Sequence, residues 1–229
     1  MLQTILAIGA HVGDMELTAG GVLASCAVQG GKIVTLALTA GEKGAPAGAD
    51  VAAYRAQKCS EASAFAKMLG GSATVLNYPD GLLPDNEEVR MQVCDVIRAV
   101  KPEIVLTHHS ASMHKDHMTC HRIVKDAWFY AATSGFVRKD PAHFAKLYFT
   151  ENWEDAFGYK PYLYKEISKE GFELWRKAIQ TQRFATESVS FPYYEYYSHL
   201  KRLRGIEARK NYAETFMVLP ETMKTVEAL

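Results

Sequence analysis

The sequence lacks an excess of charge of either sign. Its 26 lysine and arginine residues balance 26 aspartate and glutamate residues, and no basic run stands out. Proteins that bind nucleic acids or anionic membranes carry a basic patch that attracts phosphate groups. We therefore expect no nucleic-acid partner and no membrane partner, and we expect a small molecule as the ligand.

The sequence also lacks a long apolar run. No apolar stretch approaches the roughly 18 residues that a membrane-spanning helix needs. The first residues, MLQTILAIGAHVGD, reach the polar residues His11 and Asp14 too early for a secretory signal peptide. These absences predict a cytoplasmic protein.

Cysteine is scarce, with four residues and no CxxC pair. A zinc knuckle built from thiolates and a redox dithiol both need such closely spaced pairs. We therefore interpret the four cysteines as buried thiols.

The chain does contain an alternation of short β-branched runs with longer segments of helical period. Its 229 residues, 48% of them hydrophobic, are enough for one sizeable core. Such alternation is typical of βαβ units, which build a parallel sheet. We predict a single-domain α/β protein with a Rossmann-like, doubly wound, mainly parallel sheet. The predicted strands are Thr4–Ala10, Lys32–Ala40, Ala73–Tyr78 and Glu103–Thr107, and the predicted helices lie near Leu17–Gln29, Val51–Leu69 and Asn86–Val100.

The second half of the chain has a weaker pattern. The segment Phe136–Tyr164 is aromatic and mixed in charge, so we assign no structure to most of it. We divide the single domain into a sheet core that carries the site, residues 1–135, and a C-terminal part that shapes the ligand pocket, residues 136–229. The elements predicted there are a strand near Tyr162–Ile167, helices near Phe172–Arg183 and Tyr193–Tyr212, and a strand at Phe216–Leu219.

The last predicted helix carries several tyrosines. Tyr193, Tyr196, Tyr197 and Leu200 follow helical spacing. This spacing favours a packed helix face, or a contact between copies in a homo-oligomer, over a surface that stacks on sugars.

Polar segments follow each of the first four predicted strands. In a doubly wound sheet, ligands bind beyond the carboxyl ends of the strands, so we expect these segments to meet in one cleft. The last of them, His108–His121, contains five of the eight histidines of the chain. The other three segments are residues 11–14, 41–44 and 79–81.

Two of these segments offer ligands for a catalytic zinc ion. Such a site takes about three protein ligands from histidine and carboxylate and leaves one position for water. His11, Asp14 and His117 can supply this set, because His11 and Asp14 share one strand-to-helix turn and His117 follows a neighbouring strand. Taken alone, Asp14 also fits a helix cap, and His11 fits a hydrogen-bonded loop residue. His121, four residues after His117, is a weaker candidate ligand.

Two motifs resemble the signatures of a known family. Residues 10–16, AHVGDME, with the glycine pair at 20–21, resemble the AHPDDxE…GG motif of the LmbE-like, or PIG-L, deacetylases. Residues 114–117, HKDH, resemble their second motif, HPDH. The resemblance implies a Rossmann-like fold and hydrolysis of N-acetyl groups, chiefly on glucosamine-containing compounds, with one zinc ion. It continues through LTAGEKG at 38–44, Arg55 with Glu61, YPDG at 78–81 and RGIEARKNYAETF at 204–216.

The resemblance also implies a role for each matching residue. His114 would donate a proton or stabilise the tetrahedral oxyanion, and Asp116 would orient it. Arg55 would reach the substrate or the oxyanion, although its position also suits an ordinary charge on a helix surface. The implied zinc ligands are His11, Asp14 and His117.

One departure from the family motif affects the chemistry. The first aspartate of AHPDD is the family's general base, and this chain has Gly13 there. Three explanations stay open: a carboxylate such as Glu16 or Asp116 substitutes, His114 serves as both base and acid, or the protein binds metal and ligand without efficient turnover. Smaller departures are Val12 for the proline and Arg209 for a glycine of the C-terminal motif.

Two other functions are weighed against the leading one. A parallel sheet suits dinucleotide binding, but the turn at 9–14, GAHVGD, lacks the GxGxxG spacing that a pyrophosphate needs. A metal-bound, catalytically silent ligand-binding protein is the alternative that Gly13 favours. The leading prediction is a zinc-dependent N-deacetylase that acts on a small amino-sugar-like substrate.

Overall fold

The computed structural model describes residues 3–155 and 157–219. Within these residues the strands are β1 (Thr4–Gly9), β2 (Lys32–Ala37), β3 (Ser72–Val75), β4 (Ile104–His108), β5 (Lys146–Thr150), β6 (Leu163–Ile167) and β7 (Tyr212–Val218). The helices are α1 (Asp14–Thr18), α2 (Gly20–Val28), α3 (Val51–Met68), α4 (Glu87–Val100), α5 (Lys115–Ala132), α6 (Lys169–Ala178), α7 (Arg183–Glu187) and α8 (Tyr193–Glu207).

The strands form one mixed sheet in the order β3-β2-β1-β4-β5-β7-β6. The first five strands of the chain pair in parallel. The last strand, β7, is antiparallel to both of its neighbours, β5 and β6. The strand order reverses between β1 and β4, because β2 and β3 lie on one side of this pair and β5 lies on the other. The connections that follow β1 and β4 separate at this point and leave a crevice at the carboxyl ends of the two strands. The predicted fold class, a single-domain α/β protein with a mainly parallel sheet, is confirmed.

Helices cover both faces of the sheet. Leu6 and Ile8 of β1 belong to the core cluster that α4 and α5 complete. Ile5 and Ala7, which point the other way because strand residues alternate, belong to the cluster that α2, α3 and α6 complete. All four side chains are buried, which explains why β1 reads as a continuous apolar run.

The predicted elements of the first half correspond to observed ones with shifted ends. β3 ends at Val75, three residues before the predicted end, so the polar loop after it begins earlier. The helix predicted near Leu17–Gln29 consists of two helices, α1 and α2, which are interrupted at Ala19. The helices α3 and α4 begin and end within one residue of the predicted positions.

The second half differs more from the prediction. The long helix predicted to reach Tyr212 ends at Glu207, and Arg209 takes a left-handed backbone conformation with φ 57° that turns the chain back into β7. That prediction was wrong because Tyr212 belongs to the strand. β5 lies in the segment that was left unassigned. Among the described residues, no helix is both long and apolar enough to cross a membrane.

Candidate active site

A pocket of about 290 Å³ opens at the carboxyl ends of β1 and β4. Four side chains of the predicted site line it: His11, Asp14, His114 and His117. A second pocket of about 670 Å³ adjoins it and shares the walls formed by Tyr54 and Phe184. We call them the inner pocket and the outer pocket.

His11 and Asp14 are held together by the turn between β1 and α1. The backbone N–H of His11 donates a hydrogen bond to Asp14 Oδ2 over 2.8 Å. His11 Nδ1 lies 3.3 Å from the same oxygen. Gly13 makes the turn possible, because it precedes the helix with φ 109°, a conformation that other residues rarely adopt. The local sequence therefore fixes two donor side chains at one point.

His117 reaches this point from the first turn of α5. Its Nε2 lies 3.5 Å from Asp14 Oδ2. On the opposite side of the ring, Nδ1 lies 3.2 Å from Glu154 Oε2. A carboxylate behind a metal-binding histidine fixes the ring orientation and the tautomer. Glu154 and Asn152, whose Nδ2 lies 3.3 Å from the same nitrogen, therefore hold the ring of His117 with Nε2 directed into the site.

His108, the last residue of β4, joins the same cluster. Its Nε2 accepts a hydrogen bond from the backbone N–H of Ala10 over 3.0 Å and lies 3.0 Å from Asp14 Oδ2. Since this nitrogen accepts from Ala10, it has no proton to give to Asp14, and the contact joins two acceptors. A bound cation would remove their repulsion. In the sequence, His108 is distinguished only by its place in the histidine-rich segment His108–His121.

The donor atoms are close enough to share an ion. The described residues contain three groups of donor atoms that lie within 4.8 Å of one another. The predicted set of His11, Asp14 and His117 is spread over the first two. The groups are His11, His114 and His117; Asp14, His108 and His117; and His11, Asp80 and Asp116.

The charges of the cluster are strongly coupled. Burial opposes the ionisation of Asp14, but His117 and His11 outweigh burial and hold the pKa of this carboxyl well below its usual value. Burial likewise opposes the charge of His117, and Asp14 and Glu154 outweigh it and raise the pKa of His117 to about 9. Burial, followed by the nearby His117, lowers the pKa of His108 to about 4. Asp14 is therefore the anionic centre of the site.

His114 precedes α5 and faces the inner pocket. Its Nδ1 accepts a hydrogen bond from the backbone N–H of Asp116 over 3.2 Å, which leaves Nε2 as the nitrogen that carries the proton in the neutral ring. Its ring centroid lies 4.7 Å from that of His11 and 4.6 Å from that of His117. Burial lowers the pKa of His114, and the charges of His117 and His11 lower it further.

The carboxylate of Asp116 lies elsewhere than the resemblance implied. Its Oδ2 accepts a hydrogen bond from the backbone N–H of Gly81 over 2.7 Å and lies 3.5 Å from His11 Nε2. Only its backbone contacts the His114 ring. Asp116 therefore fixes the loop after β3 and the ring of His11, while its amide sets the tautomer of His114.

Arg55 is directed away from the inner pocket. Its guanidinium donates to Glu42 Oε2 over 3.0 Å and to the carbonyl oxygen of Leu76 over 2.9 Å. Glu42 in turn accepts from the backbone N–H of Asp80. Arg55 thus connects the loops that follow β2 and β3. One turn further along α3, Lys58 lines the inner pocket, although no motif in the sequence marks it as a site residue.

A ring fills the space in which a side chain at position 13 would begin. A Cβ atom added to Gly13 would lie 2.3 Å from two carbon atoms of the Phe184 ring. Glu16, a candidate for the missing base, is buried, and its Oε2 accepts from the backbone N–H of Gly13 over 3.0 Å. Two carboxylates that do line the inner pocket beside the cluster are Asp80 and Glu154.

The C-terminal motif packs against the glycine pair at 20–21. Both carboxylate oxygens of Glu214 accept hydrogen bonds from the backbone at the start of α2, from Gly21 and Val22. Lys201 pairs with Glu214 at 3.0 Å, and both side chains are buried. A Cβ at Gly21 would lie 2.5 Å from Ile167, so the close approach requires glycine. This contact joins the two ends of the chain beneath the site.

Comparisons with known proteins show the family of this chain. Residues 6–128 match the model of the PIG-L family, described as GlcNAc-PI de-N-acetylase. A 1D-myo-inositol 2-acetamido-2-deoxy-alpha-D-glucopyranoside deacetylase from Catenulispora acidiphila is 26% identical over 217 residues; the match covers 82% of this chain and 64% of that protein.

Two further likenesses are to hydratases. A 4-oxalmesaconate hydratase from Pseudomonas putida is 25% identical over 223 residues, covering 91% of this chain and 82% of that protein. The crystal structure of a 4-carboxy-2-hydroxymuconate hydratase from Pseudomonas putida superposes with a TM-score of 0.86 and 23% identity over 98% of this chain and 99% of that chain. The structural likeness supports the fold, and the proteins similar to this chain include both a deacetylase and a hydratase.

Proposed function

Because this chain belongs to the PIG-L family, described as GlcNAc-PI de-N-acetylase, we propose that it is a metal-dependent N-deacetylase that acts on a small amino-sugar-like substrate. The observation that carries the proposal is the meeting of His11, Asp14, His117 and His114 in one pocket at the carboxyl ends of β1 and β4.

The residues of the cluster fit a zinc ion. Imidazole nitrogen and carboxylate oxygen are the donors of catalytic zinc sites, and three such groups with one open position are typical. We assign the ion to His11, Asp14 and His117, since the Nε2 lone pair of His108 is already engaged by the backbone N–H of Ala10. When bound, zinc supplies a Lewis acid that polarises the amide carbonyl and lowers the pKa of water.

His114 is proposed to act on the substrate. With Nδ1 occupied by the Asp116 amide, its Nε2–H can donate to the oxygen of the amide carbonyl as that oxygen becomes negative. Water adds to the carbonyl carbon, the C–N bond breaks, and the proton that water gives up ends on the departing amine. Donation from a neutral imidazole suits the lowered pKa of His114.

The proton acceptor is proposed to come from the pocket wall. Asp116 and Glu16 accept from backbone amides, of Gly81 and Gly13 respectively. Glu154 lines the pocket, and its Oε2 contacts His117 Nδ1. We therefore favour Glu154, which lines the inner pocket, over Asp116 and Glu16, which do not line it.

A hydratase is the second candidate, and the Gly13 site favours it. The deacetylase motif has a carboxylate where this chain has glycine and a phenyl ring. The 4-oxalmesaconate hydratase from Pseudomonas putida matches 91% of the chain. Such an enzyme adds water to a carbon–carbon double bond and releases no acetate.

Acetate release from N-acetylglucosamine by zinc-loaded protein tests the proposal. We expect turnover by the parent chain and a loss of about 10²–10⁴-fold in His114→Ala, the usual contribution of a proton-transferring or oxyanion-stabilising residue. His199→Ala, at an exposed position on α8, is the control. Hydration of 4-carboxy-2-hydroxymuconate without acetate release would favour the second candidate.

A further inference from the structure

Lys58 is a buried cation that faces the inner pocket. The residue is 3% exposed, and it lines the pocket together with the site histidines. Its ammonium group lies 3.7 Å from the centroid of the Phe184 ring, a cation–π contact. Among the described residues no hydrogen-bond acceptor and no ion-pair partner contacts this ammonium group.

A buried ammonium group without an acceptor is costly. Burial removes much of the hydration of an ammonium group, and a ring face replaces only part of it. The ordinary solution is an ion pair inside the protein. Lys201 shows that solution in the same molecule, since it is buried and pairs with Glu214 at 3.0 Å.

Glu61 and Glu16, the carboxylates that act most on the charge of Lys58, form no ion pair with it, and within the described part of the chain the buried Glu61 Oε2 has no hydrogen-bond partner. Glu61 Oε1 accepts from Gln57 Nε2 over 2.8 Å. Glu16 Oε2 accepts from the backbone of Gly13. Burial lowers the pKa of Lys58 to about 8, against the opposing effect of Glu61 and Glu16, so the side chain is mostly charged at neutral pH. Its donors therefore remain available to a molecule in the pocket.

We propose that Lys58 forms an anion subsite in the wall of the inner pocket, which binds a carboxylate of the substrate. This inference rests on the proposed function only in placing the reacting amide in the same pocket. It names the substrate class more narrowly, as an acidic N-acetylated amino sugar. Phe184 holds the ammonium group in place from its other side, and a carboxylate supplies the acceptor that the protein does not.

Two sugars that differ by a carboxylate test the subsite. N-acetylmuramic acid carries a lactyl carboxylate that N-acetylglucosamine lacks. Calorimetry on the zinc-loaded full chain should show at least tenfold tighter binding of N-acetylmuramic acid. Lys58→Met, which keeps the length of the side chain, should abolish this preference, and Lys58→Arg should keep part of it. Lys67→Met, at an exposed position of the same helix, should behave like the parent.

Equal binding of the two sugars by the parent, or an unchanged preference in a folded Lys58→Met variant, would overturn the proposal. If Lys58→Met fails to fold, Lys58→Gln and Lys58→Arg provide the comparison, and the preference should follow the charge. The subsite and the deacetylase activity fail independently. Tighter binding of N-acetylmuramic acid without acetate release would contradict only the proposed function. Acetate release without this difference in binding would contradict only the proposed subsite.

Discussion

Gly13 is a residue at which this chain departs from the AHPDDxE motif that its sequence resembles. Its backbone has φ 109°, and the ring of Phe184 occupies the space in front of it. From the sequence alone, restoring aspartate at this position would be expected to raise activity. The structure changes that expectation, because the carboxylate has no room while Phe184 is present.

We therefore predict that Gly13→Asp alone lowers stability and gains no deacetylase activity. The strained φ alone costs about 1–3 kcal/mol, and the clash adds to it. In Gly13→Asp combined with Phe184→Ala, acetate release should rise at least tenfold above that of Phe184→Ala. Rates are measured together with zinc content. If Gly13→Asp alone is stable and more active than the parent, the Phe184 ring moves aside at little cost in free energy. A double variant that keeps zinc without a gain would show that another base already serves.

The sequence indicated the main site residues because they follow strand ends. His11, Asp14 and His117 could be grouped from topology alone. His108 could not, because it ends a strand, and a shift of one residue in the strand end reverses the direction of its side chain. Arg55 and Lys58 lie three residues apart on α3, so only the packing of that helix decides which of them lines the pocket.

At the scale of elements, the end of α8 shows how a missing glycine is accommodated. Arg209 has a left-handed backbone conformation with φ 57°. The backbone N–H of Lys210 donates to the carbonyl oxygen of Gly205, and this hydrogen bond closes a six-residue turn that is common at helix ends. The usual family residue at position 209 is glycine, which adopts this conformation without strain. The departure noted from the sequence is therefore a local strain.

Arg209→Gly should stabilise the protein. The left-handed conformation costs a residue with a side chain about 1–2 kcal/mol, while glycine loses roughly 0.5–1 kcal/mol through the entropy of the unfolded chain. The expected net gain is up to about 1 kcal/mol in the free energy of unfolding, measured by urea denaturation. Ala208→Gly, at a right-handed position, is the control and should destabilise. Equal effects of the two variants would contradict this explanation.

Periodicity predicted the first-half elements because β1, β2 and β4 are buried on both faces and each helix ends near Gly or Pro, whereas the edge strand β3 is half exposed. It failed at β5, a strand of five residues within an aromatic segment. Here pairing with β4 and β7, which lie far away in sequence, decides the structure. Local pattern carries no information about such partners.

At the scale of the whole molecule, the two halves of the chain build one site. The first half supplies the cluster of His11, Asp14 and His117 together with Lys58, and the second supplies Glu154, Phe184 and the wall formed by α8. The tyrosine face of α8 packs inward, with Tyr197 buried and its hydroxyl donating to Asn152 Oδ1 over 2.9 Å. The inner pocket therefore depends on the part of the sequence with the weakest pattern. For this reason the sequence predicts a substrate class but no individual substrate.

Zinc binding to metal-free protein, measured by calorimetry, tests the central claim most directly. We predict one saturable site per chain in the parent, in His199→Ala and in His114→Ala. That site should be lost in His11→Ala and in His117→Ala, because each removes a ligand from a set of about three. A parent chain that takes up no zinc, or a His117→Ala variant that binds zinc as tightly as the parent, would contradict the account.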